Sequence, residues 1–188
     1  MKLKQIHKKN EGKFITRYDL AYETIDEKEK IYEMISRNKN IQTLEELQNK
    51  HPDAVVLILH NETGDKVLLN KEFRMAVGKW VYNFPAGLID EGEEPEESAR
   101  RELKEETGLD LIKIDEILFN SYSAVGFSNE VNVCVVGTAN GTFQESSSAF
   151  EEIEAGWYTK EEVLSLMKEQ EFAARTQAYC YAWAKYAK

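Results

Sequence analysis

Glu102, Glu105 and Glu106 fall three and four positions apart in the run Arg101-Glu102-Leu103-Lys104-Glu105-Glu106. If the run is helical, at about 100° per residue, the three carboxylates share one face within a turn. Like charges at these spacings repel, by roughly a few tenths of a kcal/mol per exposed pair and by more when partly buried. Arg101, four residues before Glu105, cannot neutralise three carboxylates. A hard divalent cation can: Mg²⁺ takes oxygen ligands and keeps several waters, which leaves positions open for phosphate oxygens. Taken alone, such a helix face is more often simply solvated, so its surroundings have to decide.

Those surroundings contain a helix with marked ends. Pro95 suits a first helical turn and Gly108 the position just past a last one, so a helix is expected over Pro95–Thr107, behind a loop containing Gly87 and Gly92. The continuous apolar run 54–59 reads as a buried strand, and the turn at 61–65 returns the chain as a partner strand over 66–73. Residues 131–136 form another strong strand and 153–158 a weaker one. Two β-leaning runs, 14–18 and 31–35, flank the charged stretch 26–30 and predict an N-terminal β-hairpin. Residues 43–49 can form a short helix, ended by His51-Pro52. Thr159 can cap a helix to about residue 170, with Glu162 closing a capping box. A last helix is expected to turn Phe172, Tyr179, Trp183 and Tyr186 toward the core. This mixture reads as α+β, or a layered α/β/α domain, in which residues 1–50 supply N-terminal strands and a connecting segment and residues 51–188 the core.

Composition narrows the function. At 188 residues, with a net charge of −10, the chain is long enough for one core and too acidic to favour nucleic-acid phosphates. A small phosphate substrate would be repelled too, unless local cations or a metal intervene. No apolar run approaches the ~20 residues that span a bilayer, and no apolar stretch follows Met1-Lys2-Leu3, so neither membrane nor signal peptide is expected and the default location is cytoplasmic. Cys134 and Cys180 match no zinc or thioredoxin spacing and read as reduced core thiols. His7, His51 and His60 read as surface or strand-end residues.

Residues 85–109 carry a longer pattern: Gly, five residues, Glu, seven residues, Arg-Glu, an aliphatic residue, one residue, Glu-Glu, one residue, Gly and an aliphatic residue. Gly87, Glu93, Arg101, Glu102, Leu103, Glu105, Glu106, Gly108 and Leu109 fill every fixed place. This resembles the Nudix box. A chance fill of its charged and glycine places is on the order of 10⁻⁵, so a merely solvated glutamate face no longer competes. The resemblance implies a Nudix-like α/β/α sandwich with a mixed β-sheet, and Mg²⁺ or Mn²⁺ held by the helix glutamates. Glu102 and Glu106 are the implied direct ligands, with the backbone carbonyl of Ala86 a further one. Glu105 is either another ligand or the partner of Arg101, and Glu93 is structural.

Outside the box the chain resembles ADP-ribose pyrophosphatases. The similarity runs through Tyr32-Glu33 with Arg37, Phe73-Arg74, Phe84-Pro85-Ala86-Gly87 and Gly126-Phe127-Ser128-Asn129-Glu130. It implies substrate binding by Arg37, Arg74, Gly126 and Glu130, with Arg74 as a planar donor to phosphate. The chain departs from that group at Ala124-Val125-Gly126, where Ser-Pro-Gly is usual. It departs again at Asn83, three residues before Ala86, where a glutamate is usual and its charge is therefore missing. The general base is expected on a late loop around Ser146-Ser147-Ser148, with Glu145, Glu151 and Glu152 as candidates and Glu151 preferred among the catalytic residues Glu105, Glu106 and Glu151. The implied reaction is hydrolysis of a nucleoside diphosphate derivative, ADP-ribose to AMP and ribose 5-phosphate first, another NDP-sugar or a dinucleotide second. A non-catalytic nucleotide sensor is the alternative. The resemblance also allows a homodimer.

Overall fold

A computed structural model describes residues 1–146 and 151–187. From the N-terminus the elements are β1 (Lys2–Glu11), β2 (Thr16–Glu23), β3 (Glu29–Ser36), α1 (Leu44–Gln48), β4 (Ala54–His60), β5 (Lys66–Arg74), β6 (Lys79–Asn83) and β7 (Ala86–Leu88). They continue with α2 (Pro95–Thr107), β8 (Asp110–Ile117), β9 (Ser121–Tyr122), β10 (Val131–Asn140), β11 (Ile153–Thr159), α3 (Lys160–Leu166) and α4 (Ala174–Tyr186). The chain divides into two compact units, Met1–Asp53 with Asn120–Asn132, and Ala54–Phe119 with Val133–Lys188.

In the second unit the strands follow the order β11-β5-β4-β10-β8 in a mixed sheet, with β6 beside β5 and β7 beside β4. Successive strand side chains face opposite ways, and β4 uses both faces. Leu57 and Leu59 join Leu68 of β5 and Ala99 and Leu103 of α2 in one apolar cluster. Val56 and Ile58 join Val67, Leu69, Val163 of α3 and Trp183 of α4 in another. A strand run buried on both faces explains why 54–59 reads as continuously apolar, and it produces the layered α/β/α arrangement. Each fully buried leucine contributes on the order of 2 kcal/mol from water exclusion, so α2 is anchored chiefly by Leu103. Its ends follow the expectation: Pro95 opens it, the Glu97 carboxylate accepts from the Glu94 N–H at 3.1 Å, and Gly108 closes it at φ 77°. Only glycine suits Gly108, where a Cβ would also meet Gln144 at 2.7 Å.

Two helical expectations need correction. α3 ends at Leu166 rather than near 170, because the last bonds tighten to Lys168 N–H with Ser165 C=O and Glu169 N–H with Leu166 C=O. In α4, Trp183 is buried, but Phe172 precedes the helix and stacks on Tyr82 from an extended bridge, and Tyr186, in the last turn, is 75% exposed. The two cysteines are free and buried, and burial pushes the Cys180 thiol up to about 12. No described helix is long and apolar enough to cross a membrane.

The first unit holds an antiparallel sheet in the order β1-β2-β3. The expected hairpin is β2 and β3, longer than anticipated, and β1 is an additional strand. Its apolar residues Leu3 and Ile6 are three apart, which breaks a period of two. A register shift between Leu3 and Gln5 absorbs the extra residue and lets both pack beside Tyr18, Leu20, Met34 and Ile41. The Tyr18 hydroxyl donates to Asn38 C=O at 2.8 Å and accepts from Ile41 N–H. Ser121 and Tyr122 pair with Asn132 and Val131.

Candidate active site

Glu106 lies on the face of α2 that also carries Ala99 and Leu103, so packing the helix on the sheet carries a carboxylate inward. It is 7% exposed and its Oε2 accepts from Asn70 Nδ2 of β5 at 2.8 Å. Burial holds its carboxyl well above the usual carboxylate range. The charges of Glu102, Glu72 and Glu151 push the same way, and Asn70 only partly opposes them. Glu102 is also raised, first by burial, then by Glu105 and Glu151, against the opposing pull of Arg101.

Arg101 organises the loop ahead of the helix. Its Nε and Nη2 donate to Glu93 at 3.0 and 2.8 Å, its Nη2 also to Leu88 C=O at 2.9 Å, and its Nη1 to Glu102 at 2.6 Å. Ser98 Oγ donates to Glu93 at 2.6 Å. Arg101 first and Ser98 second bring the Glu93 carboxyl down to about 2. Glu93 therefore ties loop to helix. Glu105 is 51% exposed and lies 3.5 Å from Arg101. The Ala86-Gly87 backbone presses on Glu102: a Cβ at Gly87 would collide with the Glu102 carboxyl group. Glycine is thus required where β7 meets the helix carboxylates.

β5 contributes residues absent from the expected site. Its period of two sends Asn70, Glu72 and Arg74 to the face of Leu68, toward α2. Glu72 is 9% exposed, accepts from Asn83 Nδ2 at 3.0 Å and lies 3.6 Å from Arg74 Nη1. The strand reading of 66–73 places Glu72 and Asn70 two and four residues before Arg74, which the family resemblance had named. Arg74 itself is exposed. Glu151 precedes β11, whose Ile153 pairs with Glu72, and its charge bears on both Glu102 and Glu106. Glu145, Glu151 and Glu152 are all exposed. Ser147 and Ser148 of the expected late loop lie outside the described residues.

Arg37, Gly126 and Glu130 belong to the first unit. There they meet one another's neighbours. Arg37 Nε donates to Glu130 Oε2 at 2.7 Å, Ser123 Oγ donates to Glu130 Oε1 at 2.9 Å, and the Gly126 carbonyl accepts from Tyr32 OH. The same unit holds an apolar cleft of about 460 Å³ lined by Leu20, Tyr22, Tyr32, Met34, Tyr122 and Phe127 among others.

Three observations bear on a divalent cation near Glu106. The donor set is hard carboxylate oxygen, as Mg²⁺ or Mn²⁺ requires. Asn70 is fully buried and its Oδ1 has no hydrogen-bond partner among the described residues. The missing Cβ at Gly87 lets the Glu102 carboxyl lie directly against the Ala86-Gly87 backbone. Among the described residues no three acidic, histidine or cysteine side chains converge tightly enough to enclose an ion unaided. That suits a cation that keeps several waters and takes backbone and phosphate oxygens to complete its shell. The residues present fit such an ion.

The family model for the NUDIX domain matches residues 50–183. The chain is 32% identical over 132 residues to a Bacillus subtilis (strain 168) protein named ADP-ribose pyrophosphatase, covering 69% of this chain and 70% of that one. It is 46% identical over 67 residues to the Mus musculus ADP-sugar pyrophosphatase, a match spanning 29% of that protein. A solved structure described as "Crystal structure of ADP compounds hydrolase" superposes with a TM-score of 0.73 at 18% identity, covering 96% of this chain and 90% of that one, and shares the fold.

Proposed function

The chain belongs to the NUDIX family, and from that premise we propose that it is a pyrophosphohydrolase using Mg²⁺ or Mn²⁺, with ADP-ribose, cut to AMP and ribose 5-phosphate, as its substrate. The observation that carries the reading is Glu106: a carboxylate buried among other carboxylates, with one amide as its hydrogen-bond partner, is costly unless a cation joins it.

Glu102, Glu106 and the Ala86 carbonyl would hold the ion, with Glu105 nearby. A divalent cation there offsets charge on the phosphates and the leaving group and makes water a better nucleophile. Arg101 keeps Glu102 in place from Glu93, so the helix carboxylates stay aligned while the loop carries load. Glu151 takes the proton of the attacking water onto a carboxylate oxygen as the new O–P bond forms. The bond from that phosphorus to the bridging oxygen breaks, and the leaving phosphate carries off the electron pair. Arg74 binds a phosphate through its planar guanidinium. For Arg37, Gly126 and Glu130 a role in substrate binding rests on their motifs. The names of the relatives, ADP-ribose and ADP-sugar pyrophosphatases, support the substrate class.

The test is a panel of nucleoside diphosphate derivatives with Mg²⁺ and with Mn²⁺, reading phosphate release after phosphatase coupling. ADP-ribose is expected to give the highest kcat/KM. A higher value for another NDP-sugar or a dinucleotide corrects the substrate. Tight binding of ADP-ribose without release from any compound makes the protein a sensor and overturns the hydrolase.

A further inference from the structure

We propose that Glu72 is a further carboxylate of the cation site, delivered by β5 and aimed by Asn83 and Thr176, so that the charge missing at position 83 is carried at position 72. This rests on the hydrolase reading above. A carboxyl group as buried as Glu72 needs polar partners for its oxygens. It meets one amide, Asn83 Nδ2 at 3.0 Å, and the exposed Arg74 guanidinium at 3.6 Å. Asn83 cannot turn away. Its Oδ1 accepts from Thr176 Oγ1 and from Phe84 N–H, both at 2.9 Å, which leaves Nδ2 as the end presented to Glu72. Thr176 is fully buried in the first turn of α4. β5, β6 and α4 thus converge on one carboxylate and fix its direction.

What that carboxylate faces is marked by an independent feature. Asn70, two residues back on the same face of β5, is fully buried, gives its Nδ2 to Glu106, and keeps an Oδ1 with no partner among the described residues. A buried acceptor with no partner among the described residues has capacity for a donor such as water, and a hydrated cation beside Glu106 and Glu72 would bring one. Glu72 acts electrostatically on Glu106, and the β5–β11 register sets Ile153 opposite Glu72, close in sequence to Glu151. Glu72 and Asn83 lie on neighbouring strands, and their hydrogen bond joins β5 to β6.

The experiment is Mn²⁺ titration of the full chain followed by electron paramagnetic resonance, with melting of the metal-free protein alongside. It compares wild type, Glu72→Gln and Glu154→Gln. Glu154 is an exposed carboxylate of β11 paired with Lys71, and it controls for the general field of the acidic surface. Glu72→Gln is expected to weaken Mn²⁺ binding at least about tenfold with the metal-free melting temperature unchanged or higher, and Glu154→Gln to stay within about twofold. Equal affinity in wild type and Glu72→Gln, or equal weakening in both variants, overturns the proposal. A metal-free Glu72→Gln protein that melts far below wild type makes Glu72 a structural residue and overturns it as well. Failure of wild type itself to bind Mn²⁺ brings down the hydrolase reading instead, and this proposal with it.

Discussion

Around Glu106, carboxylates from α2, β5 and the segment before β11 act on one another inside the second unit; around Arg37, in the first unit, one guanidinium meets one carboxylate at the surface. The second arrangement is a direct, partly solvated pair, with half-buried Asp53 also acting on both of its charges, and an exposed pair of this kind contributes about 0.2–1 kcal/mol. In the first, burial and then neighbouring carboxylates hold the carboxyls of Glu106 and Glu102 above their usual range, a cost that a proton or an added cation relieves. Charges that satisfy one another stabilise a surface. Charges that cannot do so mark where a ligand belongs.

The largest effect expected from this contrast is complete loss of hydrolysis on exhaustive chelation, recovered by Mg²⁺ or Mn²⁺. Full activity in the chelated protein would remove the cation from the account. Next, Glu106→Gln should lower kcat by roughly a thousandfold or more, since a neutral amide is a poor ligand for a hard cation. A kcat within about threefold of wild type, under ~0.7 kcal/mol in barrier, would sink the assignment.

The same variant tests the electrostatics without turnover. A carboxyl whose folded pKa is raised stabilises the fold below its unfolded pKa, and that contribution is lost as pH rises through the folded pKa. The metal-free protein should therefore lose stability as pH climbs above the ordinary carboxylate range, and Glu106→Gln should flatten that loss and melt at an equal or higher temperature. Glu93 has the opposite sign: its contribution is present above the usual carboxylate pKa and disappears as pH falls toward about 2. Melting curves across pH that show no difference between wild type and Glu106→Gln would contradict the strain at Glu106.

Arg74→Ala should raise KM about tenfold and more than it lowers kcat, because an exposed guanidinium acts by holding phosphate in the ground state. An unchanged KM for every active substrate would make it a surface arginine. The smallest effect belongs to the partly solvated pair. Arg37→Met should cost less than ~1 kcal/mol of stability, read from denaturant unfolding. A loss above about 2 kcal/mol would break the comparison, since it would show that the Arg37–Glu130 pair acts like a buried one.

Much of this was legible along the chain because it depends on near neighbours. The ends of α2 rest on Pro95 and Gly108, each acting through its own backbone. The two-sided burial of β4 shows as an unbroken apolar run. β1 was hidden, because a bulge, not a repeat, brings Leu3 and Ile6 to one side, and that bulge forms only against β2. Tyr186 misled because helical angle says nothing about where the core ends.

The active region divides in the same way. Sequence alone determined that Glu102, Glu105 and Glu106 share a helix turn, since 3.6 residues per turn follows from backbone geometry. Their spacing did not rank them; the family resemblance put Glu102 and Glu106 first. Helix packing decided that Glu106 faces inward, Glu102 is gripped by Arg101 and Glu105 stays half in solvent. Nor could sequence alone show that Asn70 and Glu72, more than thirty residues earlier, face the same helix, or that Asn83 and Thr176 hold Glu72. Those contacts join β5, β6, α2 and α4, and a charge acts over distances set by the folded chain, not by its numbering.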